Sequence, residues 1–200
     1  MSRTLAALLV VSFLCGCSRQ KSQQVALLPE EVIKQAVEYG RLRASLTANE
    51  LLEPWTVDLG YEQGKGRATI ITPFVRVALL AWQAARKGQN VSEEVLRIAL
   101  REQSGVVHFR VSLYGDEPNF CRKARFRLLY DGKSLEPISS YVPAYGDFTR
   151  DYYIVATGDV KFKGQDIPEK AQLQLEVVIP AVKEKSEIRI VFPFNLSAYR

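Results

Sequence analysis

The chain has 200 residues, of which 47% are hydrophobic and 24% charged, a composition typical of a globular protein and not of a disordered one. Lys and Arg number 27 against 22 Asp and Glu, which gives a net charge of +5. This excess is well short of that in a dedicated nucleic-acid-binding protein. With one His and three Cys, the chain has almost no ligands for a zinc site. We predict no metal, no cofactor and no nucleic-acid partner.

The first residues have the pattern of an export signal. Arg3 supplies a positive charge, and an uncharged, largely apolar run from Leu5 to Leu14 follows it. Because about 20 residues are needed to span a bilayer, this run is too short for a transmembrane helix. Its length and its basic flank are typical of a signal peptide, so the chain is predicted to be extracytoplasmic.

The apolar run ends in Leu14-Cys15-Gly16-Cys17, which resembles the lipobox of bacterial lipoproteins. In that family a diacylglyceryl group is attached to the thiol of the last cysteine, and the chain is cut before it. The resemblance implies that residues 1–16 are a signal peptide and that Cys17 carries lipid, palmitate being a typical acyl chain. Two such chains anchor a protein durably, because each buried CH₂ adds roughly 0.8 kcal/mol. An ordinary signal peptide and an uncleaved anchor are the alternatives.

The remaining cysteine excludes a disulfide framework in the mature chain. With Cys17 lipidated, Cys121 has no partner in the same chain. We expect it to be a small buried side chain, although neighbouring Arg122 leaves a reactive thiolate as an alternative. Ser18, which is not acidic, is consistent with transfer to the outer membrane where the cell has one.

Residues 17–28 are predicted to be a lipidated tether, and residues 29–103 a helical part. The tether begins with polar residues, which suits a flexible leader. Helical periodicity predicts three helices, from Pro29 to about Leu46, from Phe74 to Lys87 and from Ser92 onward. Within this part, alternation over 55–59 and 68–71 on either side of a Gly-rich stretch indicates a β-hairpin.

Residues 104–200 are predicted to form an antiparallel β-sandwich. Beyond Gly105 the hydrophobic period changes from that of a helix to that of a strand. Alternating segments occur over Val107–Leu113, Phe126–Tyr130, Tyr152–Phe162, Leu173–Ile179 and Ile188–Phe194. Asp131-Gly132 is a hairpin turn. No helical pattern separates these strands, which indicates an immunoglobulin-like sandwich in general look and an α+β fold class overall.

Two groups of residues in the predicted sandwich are candidates for a binding surface. The first is an aromatic group that can stack on sugars or anchor a protein partner, namely Tyr141, Tyr145, Phe148, Tyr152 and Tyr153. The second is a basic group that can attract anionic lipid, wall polymer or an acidic protein, namely Arg122, Lys123, Arg125 and Arg127. The alternatives are tyrosines that close one end of the sandwich and an ordinary solvated face.

No catalytic set emerges from the sequence. A triad needs a histidine, and the single one, His108, falls on the polar side of a strand, where we expect it to be exposed. Carboxylates could serve a hydrolase of wall polymer, and the pairs considered are Asp147 with Asp151 and Glu136 with Asp131. The sequence gives no separation between them. The protein is therefore predicted not to be an enzyme.

The expected function is that of a lipid-anchored envelope protein that binds another envelope component. Membrane lipid is the first partner, through the acylated Cys17. An envelope protein is the second, with wall glycan as another ligand class. An envelope hydrolase and a purely structural lipoprotein are the alternatives.

Overall fold

The computed structural model describes residues 28–149, 153–168, 170–180 and 186–199. Cys17, Asp151 and Tyr152 therefore lie outside the described residues, as does the predicted signal peptide. The helices are α1 (Glu30–Leu42), α2 (Ala48–Leu52), α3 (Pro73–Ala85) and α4 (Glu93–Gln103). None of these helices in the described ranges is long and apolar enough to cross a membrane.

Within the described ranges, ten strands form two antiparallel sheets, which confirms the predicted α+β class. They are β1 (Thr56–Asp58), β2 (Gly66–Ile71), β3 (Val106–Gly115), β4 (Arg125–Tyr130), β5 (Lys133–Leu135), β6 (Ser139–Tyr141), β7 (Asp147–Phe148), β8 (Ile154–Lys163), β9 (Gln172–Ile179) and β10 (Ile188–Asn195). The six-stranded sheet has the order β1-β2-β3-β8-β6, and β7 also pairs with β8. The four-stranded sheet has the order β10-β9-β4-β5.

The two sheets pack face to face around one core. Alternate side chains of each strand point inward, as the sequence period predicts, and those of Phe109, Leu128 and Phe192 are fully buried. The rings of Phe109 in β3 and Phe194 in β10 lie 5.0 Å apart across the interface between the sheets. The orders β2-β3-β8-β6 and β10-β9-β4-β5 match the A-B-E-D and G-F-C-C′ sheets of immunoglobulin domains.

The predicted hairpin is present, but it belongs to the sandwich. β1 and β2 pair as expected, and β2 pairs in turn with β3, from Gly66 opposite Leu113 to Ile71 opposite His108. Ala68 and Ile70 of β2 are buried in the shared core. The sequence prediction had placed this hairpin with the helices. The pairing of β2 with β3 is not local, because α3 and α4 lie between the two strands in the chain.

The helices begin where their capping residues predict. Thr72 and Ser92 accept hydrogen bonds from the backbone N–H groups of Val75 and Val95, which satisfies free donors at the starts of α3 and α4. The first helix ends at Leu42, earlier than the predicted Leu46. After it comes α2, which was not predicted and which is held by a capping box between Thr47 and Glu50.

The contact between α1 and α3 is unusually close at Gly40. A Cβ atom built on Gly40 would lie 2.1 Å from the carbonyl oxygen of Ala78. In the turn after α1, the carbonyl of Leu46 accepts a hydrogen bond of 3.1 Å from the indole N–H of Trp82, which lies in α3. The absence of a side chain at Gly40 therefore sets how closely the two helices approach.

Candidate functional site

Exposed aromatic side chains concentrate along one edge of the six-stranded sheet. We call Tyr141, Tyr145, Phe148 and Tyr153 the aromatic edge, and they are 70%, 62%, 70% and 46% exposed. β6 and β7 pair side by side with the same edge of β8, so that Tyr141 lies opposite Asp159 and Phe148 opposite Ile154. Four members of the predicted aromatic group thus face solvent along β8.

The segment between β6 and β7 is fixed to the rest of the sandwich. Val142 packs against the main core, and the thiol of Cys121 donates a hydrogen bond of 3.0 Å to the carbonyl of Pro143. The backbone N–H of Gly146 donates to the carbonyl of Pro118 at 2.7 Å. These contacts anchor the backbone of the segment, so the aromatic side chains project from a fixed support.

A chain of tyrosine rings extends from the aromatic edge toward β2. The ring of Tyr153 lies 6.5 Å from that of Tyr114, in an edge-to-face arrangement. Tyr114 lies in turn 5.3 Å from Tyr61, which is half exposed. Tyr114 is itself buried, and its burial raises the pKa of its hydroxyl. These contacts could not be predicted from the sequence, because the three tyrosines are far apart in the chain.

The predicted basic group does not form one cationic patch. Arg125 and Arg127 project from the outer face of the four-stranded sheet, where they form ion pairs with Glu187 at 3.4 Å and with Glu136 at 3.2 Å. The other two members, Arg122 and Lys123, are exposed in the turn that follows Cys121. Through Cys121 this turn contacts the segment that carries the aromatic edge. Of the four basic residues, only Arg122 and Lys123 therefore lie in a turn that contacts the segment carrying the aromatic edge.

Glu176 is a buried carboxylate that the sequence prediction missed. It lies in β9 opposite Arg127, is 5% exposed, and is paired with Arg189 at 3.1 Å. The alternation of Gln172, Gln174 and Glu176 predicts a solvated face, whereas long neighbouring side chains cover this one. A carboxylate with an arginine partner on a sheet face is accounted for by a structural role.

His108 is largely buried, and the expectation that it is exposed was wrong. Its side chain is 12% exposed, and its Nε2 lies 2.8 Å from a carboxylate oxygen of Asp159. Arg110 lies 3.4 Å from the same oxygen. The hydrogen bond with His108, helped by the charge of Arg110, lowers the pKa of Asp159 against the opposing effect of its partial burial. β8 supplies this partner across the sheet, and local sequence could not predict it.

Asp159→Asn should lower stability at neutral pH and reduce the loss of stability in acid. The pKa of Asp159 is depressed in the folded state, so its contribution is present above the unfolded value of about 3.9 and is lost as the pH falls through the folded value. Because the carboxylate is partly solvated, we expect a loss of about 1 kcal/mol at pH 7. Urea unfolding at pH 7 and pH 3 measures both effects. The control is Asp166→Asn in an exposed turn, and equal pH dependence in all three proteins would contradict the prediction.

The remaining candidate groups lie on separate elements in the described part of the chain. Glu136 is paired with Arg127 and Asp131 lies in the β4–β5 turn, whereas Asp147 is exposed in β7 of the other sheet. Cys121 is 3% exposed, and burial raises the pKa of its thiol. Among the described residues, no group of three or more His, Cys, Asp or Glu side chains is suited to hold a metal ion.

The chain was compared with protein-family models, with curated proteins and with solved structures, and none of these comparisons found a match. Function must therefore be inferred from the geometry of the site itself. Of the groups predicted from the sequence, the aromatic group has four described members on one exposed edge. The basic group is divided between two surfaces, and Arg125 and Arg127 are already ion-paired.

Proposed function

We propose that the protein is a lipid-anchored, extracytoplasmic lipoprotein whose aromatic edge binds another protein of the cell envelope. The observation that carries this proposal is the exposure of Tyr141, Tyr145, Phe148 and Tyr153 on a fixed backbone. Aromatic side chains dominate the binding energy of protein interfaces, because they bury a large area at a small cost in conformational entropy. Exposed apolar surface that is concentrated in one place is characteristic of a docking site.

The strand edge beneath these side chains favours a protein partner. β6 and β7 each pair with β8 on one side, and within the described residues no other strand pairs with them. An edge strand offers backbone donors and acceptors to an added strand. From the partner of Phe148 to the partner of Tyr141 along β8 the edge runs about 17 Å, at about 3.3 Å per residue. This length accommodates an extended segment of another protein.

The proposed anchor rests on the sequence pattern before Cys17. Residues 17–28 would span at most about 40 Å when fully extended, so lipidation at Cys17 would confine the sandwich to a thin layer beside the membrane. A binding domain held there meets envelope partners at a high effective concentration. The anchor and the aromatic edge would thus serve the same function.

Tyr141→Ala combined with Phe148→Ala should abolish capture of the partner. We expect the loss of two exposed aromatic anchors to reduce the yield of co-purified protein at least tenfold, since a hot-spot side chain contributes about 2 kcal/mol. The measurement is crosslinking in whole cells, followed by purification of the full-length chain and quantification of the protein bound to it. Ile98→Ala with Val95→Ala is the matched control, because these α4 side chains are 48% and 44% exposed at another surface.

One result would overturn the proposed surface, and another would overturn the proposed class of partner. Equal capture by the aromatic-edge variant and the control would place the interface elsewhere. Enrichment of wall fragments with no stoichiometric protein would identify a glycan ligand instead. In that case the effect of Asp147→Asn on hydrolysis of wall polymer would separate a binding protein from a hydrolase.

A further inference from the structure

The C-terminal ends of α1 and α3 meet at a surface that carries four cations and one apolar side chain. We call this surface the cationic end, and its members are Arg41, Leu42, Arg43, Arg86 and Lys87. The two helix ends are joined through Trp82 of α3. Its indole N–H donates to the carbonyl of Leu46, in the turn after α1, and its ring centre lies 4.9 Å from the guanidinium carbon of Arg86. The cations of both helices therefore belong to one surface.

No acidic side chain offsets the charge of the cationic end. The sequence has no Asp or Glu between Glu38 and Glu50, or between Glu62 and Glu93, and these two stretches supply the whole surface. Within the described residues, no ion pair joins any of its four cations to a carboxylate. Their charge is therefore available to an anionic ligand.

Two of the arginines are held in place by aromatic rings instead of carboxylates. The guanidinium carbon of Arg43 lies 3.8 Å from the centre of the Tyr39 ring, as that of Arg86 lies over Trp82. Tyr39 is itself supported by an edge-to-face contact with buried Trp55. Arg43 donates one hydrogen bond of 3.5 Å to the carbonyl of Tyr39. Stacking orients a guanidinium and leaves its other N–H groups to donate to an oxyanion such as phosphate.

An exposed leucine lies among these cations. Leu42 is the last residue of α1, stands between Arg41 and Arg43 in the chain, and is 66% exposed. The helix dipole favours a cation at the end of a helix, but it does not account for an apolar side chain exposed between two of them. At a membrane interface an apolar side chain enters the acyl boundary while neighbouring cations contact anionic headgroups. The combination favours a lipid surface over an acidic protein.

We propose that the cationic end rests on the membrane and binds the phosphate groups of anionic lipids, with Leu42 entering the interface. This proposal rests on the membrane anchor proposed above and not on the aromatic edge. The 13 residues of α1 span about 20 Å, at 1.5 Å per residue. This length is less than the reach of about 40 Å of residues 17–28 when fully extended, so the anchor permits the contact. The contact would fix which side of the domain faces the lipid.

Arginine modification on vesicles tests the proposal with the full-length chain. The purified protein is added to vesicles of phosphatidylcholine, with or without phosphatidylglycerol, and treated with p-hydroxyphenylglyoxal, and each modified arginine is quantified by mass spectrometry. We expect the modification of Arg41 and Arg86 to fall about fivefold on the anionic vesicles, since each cation near such a surface is stabilised by about this factor. Concentrated salt should restore it. Arg122, which is exposed on the sandwich, is the internal control and should be modified equally on both.

Charge reversal on α3 tests whether the two helix ends act as one surface. Arg86→Glu combined with Lys87→Glu should remove the protection of Arg41 on anionic vesicles, although Arg41 is unchanged and lies on the other helix. The matched control is Lys133→Glu with Lys163→Glu, which reverses two exposed cations of the sandwich and should leave the protection intact.

Flotation of the same vesicles separates this proposal from that of the anchor. A protein that floats with both kinds of vesicle, but in which Arg41 is modified equally on both, would overturn the lipid contact alone. A protein that floats only with anionic vesicles and shows the protection would support the contact and contradict the anchor. A protein that floats with neither would overturn both. Protection by soluble polyglutamate but not by vesicles would overturn the lipid contact and assign the surface to an acidic protein.

Discussion

Gly40→Ala should destabilise the protein by about 3 kcal/mol, since overpacking against a rigid neighbour costs this much. The added Cβ would lie 2.1 Å from the carbonyl oxygen of Ala78 and 2.9 Å from the backbone nitrogen of Trp82. Both atoms belong to the backbone of α3, so no rotation of a side chain can relieve the clash. At an uncrowded helical position the same substitution would stabilise by up to about 1 kcal/mol.

Urea unfolding followed by tryptophan fluorescence measures this effect, because Trp55 and Trp82 are both buried in the core. Gln35→Ala, at an exposed position of α1, should leave the unfolding midpoint nearly unchanged. Gly88→Ala tests glycine replacement without crowding, since nothing lies within 4 Å of its added Cβ and its φ is +67°. We expect that variant to lose about 1 kcal/mol from backbone strain alone. If the Gly40→Ala protein were as stable as the wild type, α1 and α3 could not be as close at Gly40 as described above.

Cys17→Ser should abolish incorporation of labelled fatty acid. If Cys17 carries the lipid, as the likeness of Leu14-Cys15-Gly16-Cys17 to a lipobox implies, the substitution removes the thiol at the lipidated position of the motif. The expected result is complete loss of label from the immunoprecipitated protein after growth with a palmitate analogue. In the wild type, attachment should resist washing with carbonate, because two acyl chains at about 0.8 kcal/mol per buried CH₂ hold the chain durably.

Cys15→Ser is the matched control for this experiment, since Cys15 occupies the variable position of the motif. That variant should take up as much label as the wild type. Label that survives in Cys17→Ser, or is absent from the wild type, would contradict the lipoprotein assignment. A wild type without label would leave an ordinary signal peptide or an uncleaved anchor as the explanation of residues 1–17.

Elements that bury one face were predicted from the sequence nearly to the residue. β8 and β10 alternate between buried positions and more exposed ones, so the period identifies both the strand and its inner face. The turn at Asp131 and Gly132 was predicted because Asp-Gly favours a hairpin turn in which both central residues adopt positive φ. The structure has this turn, with φ values of 47° and 69°.

Elements without such a pattern were not predicted. α2 has five residues, too few to show a helical period, although Thr47 and Glu50 form a recognisable capping box. The three residues of β6 are all exposed, so β6 has no alternation to detect. The local signal of α2 is confined to its capping box, and β6 is defined by its pairing with β8.

The candidate site was predicted in composition but not in arrangement. The sequence shows that aromatic residues crowd the region around Tyr145, but only the pairing of β6 and β7 with β8 shows that they face outward. The basic group was predicted to form one charged surface, but the charge of Arg125 is paired with that of Glu187. That pairing could not be predicted, because the two residues are distant in the chain. Asp159, which is 51 residues further along the chain, likewise contacts His108 and changes its environment. Charge and exposure at these positions depend on strand pairing that no local pattern encodes.

The position of β2 within the six-stranded sheet has a consequence for how the molecule folds. β2 needs β3 as its neighbour, and β3 needs β8, which ends at Lys163. A chain synthesised from its N-terminus therefore cannot complete the layer beside its helices until most of its length is available. Contacts between such distant residues make folding slow. We therefore expect the helices and the sandwich to unfold together in a single transition.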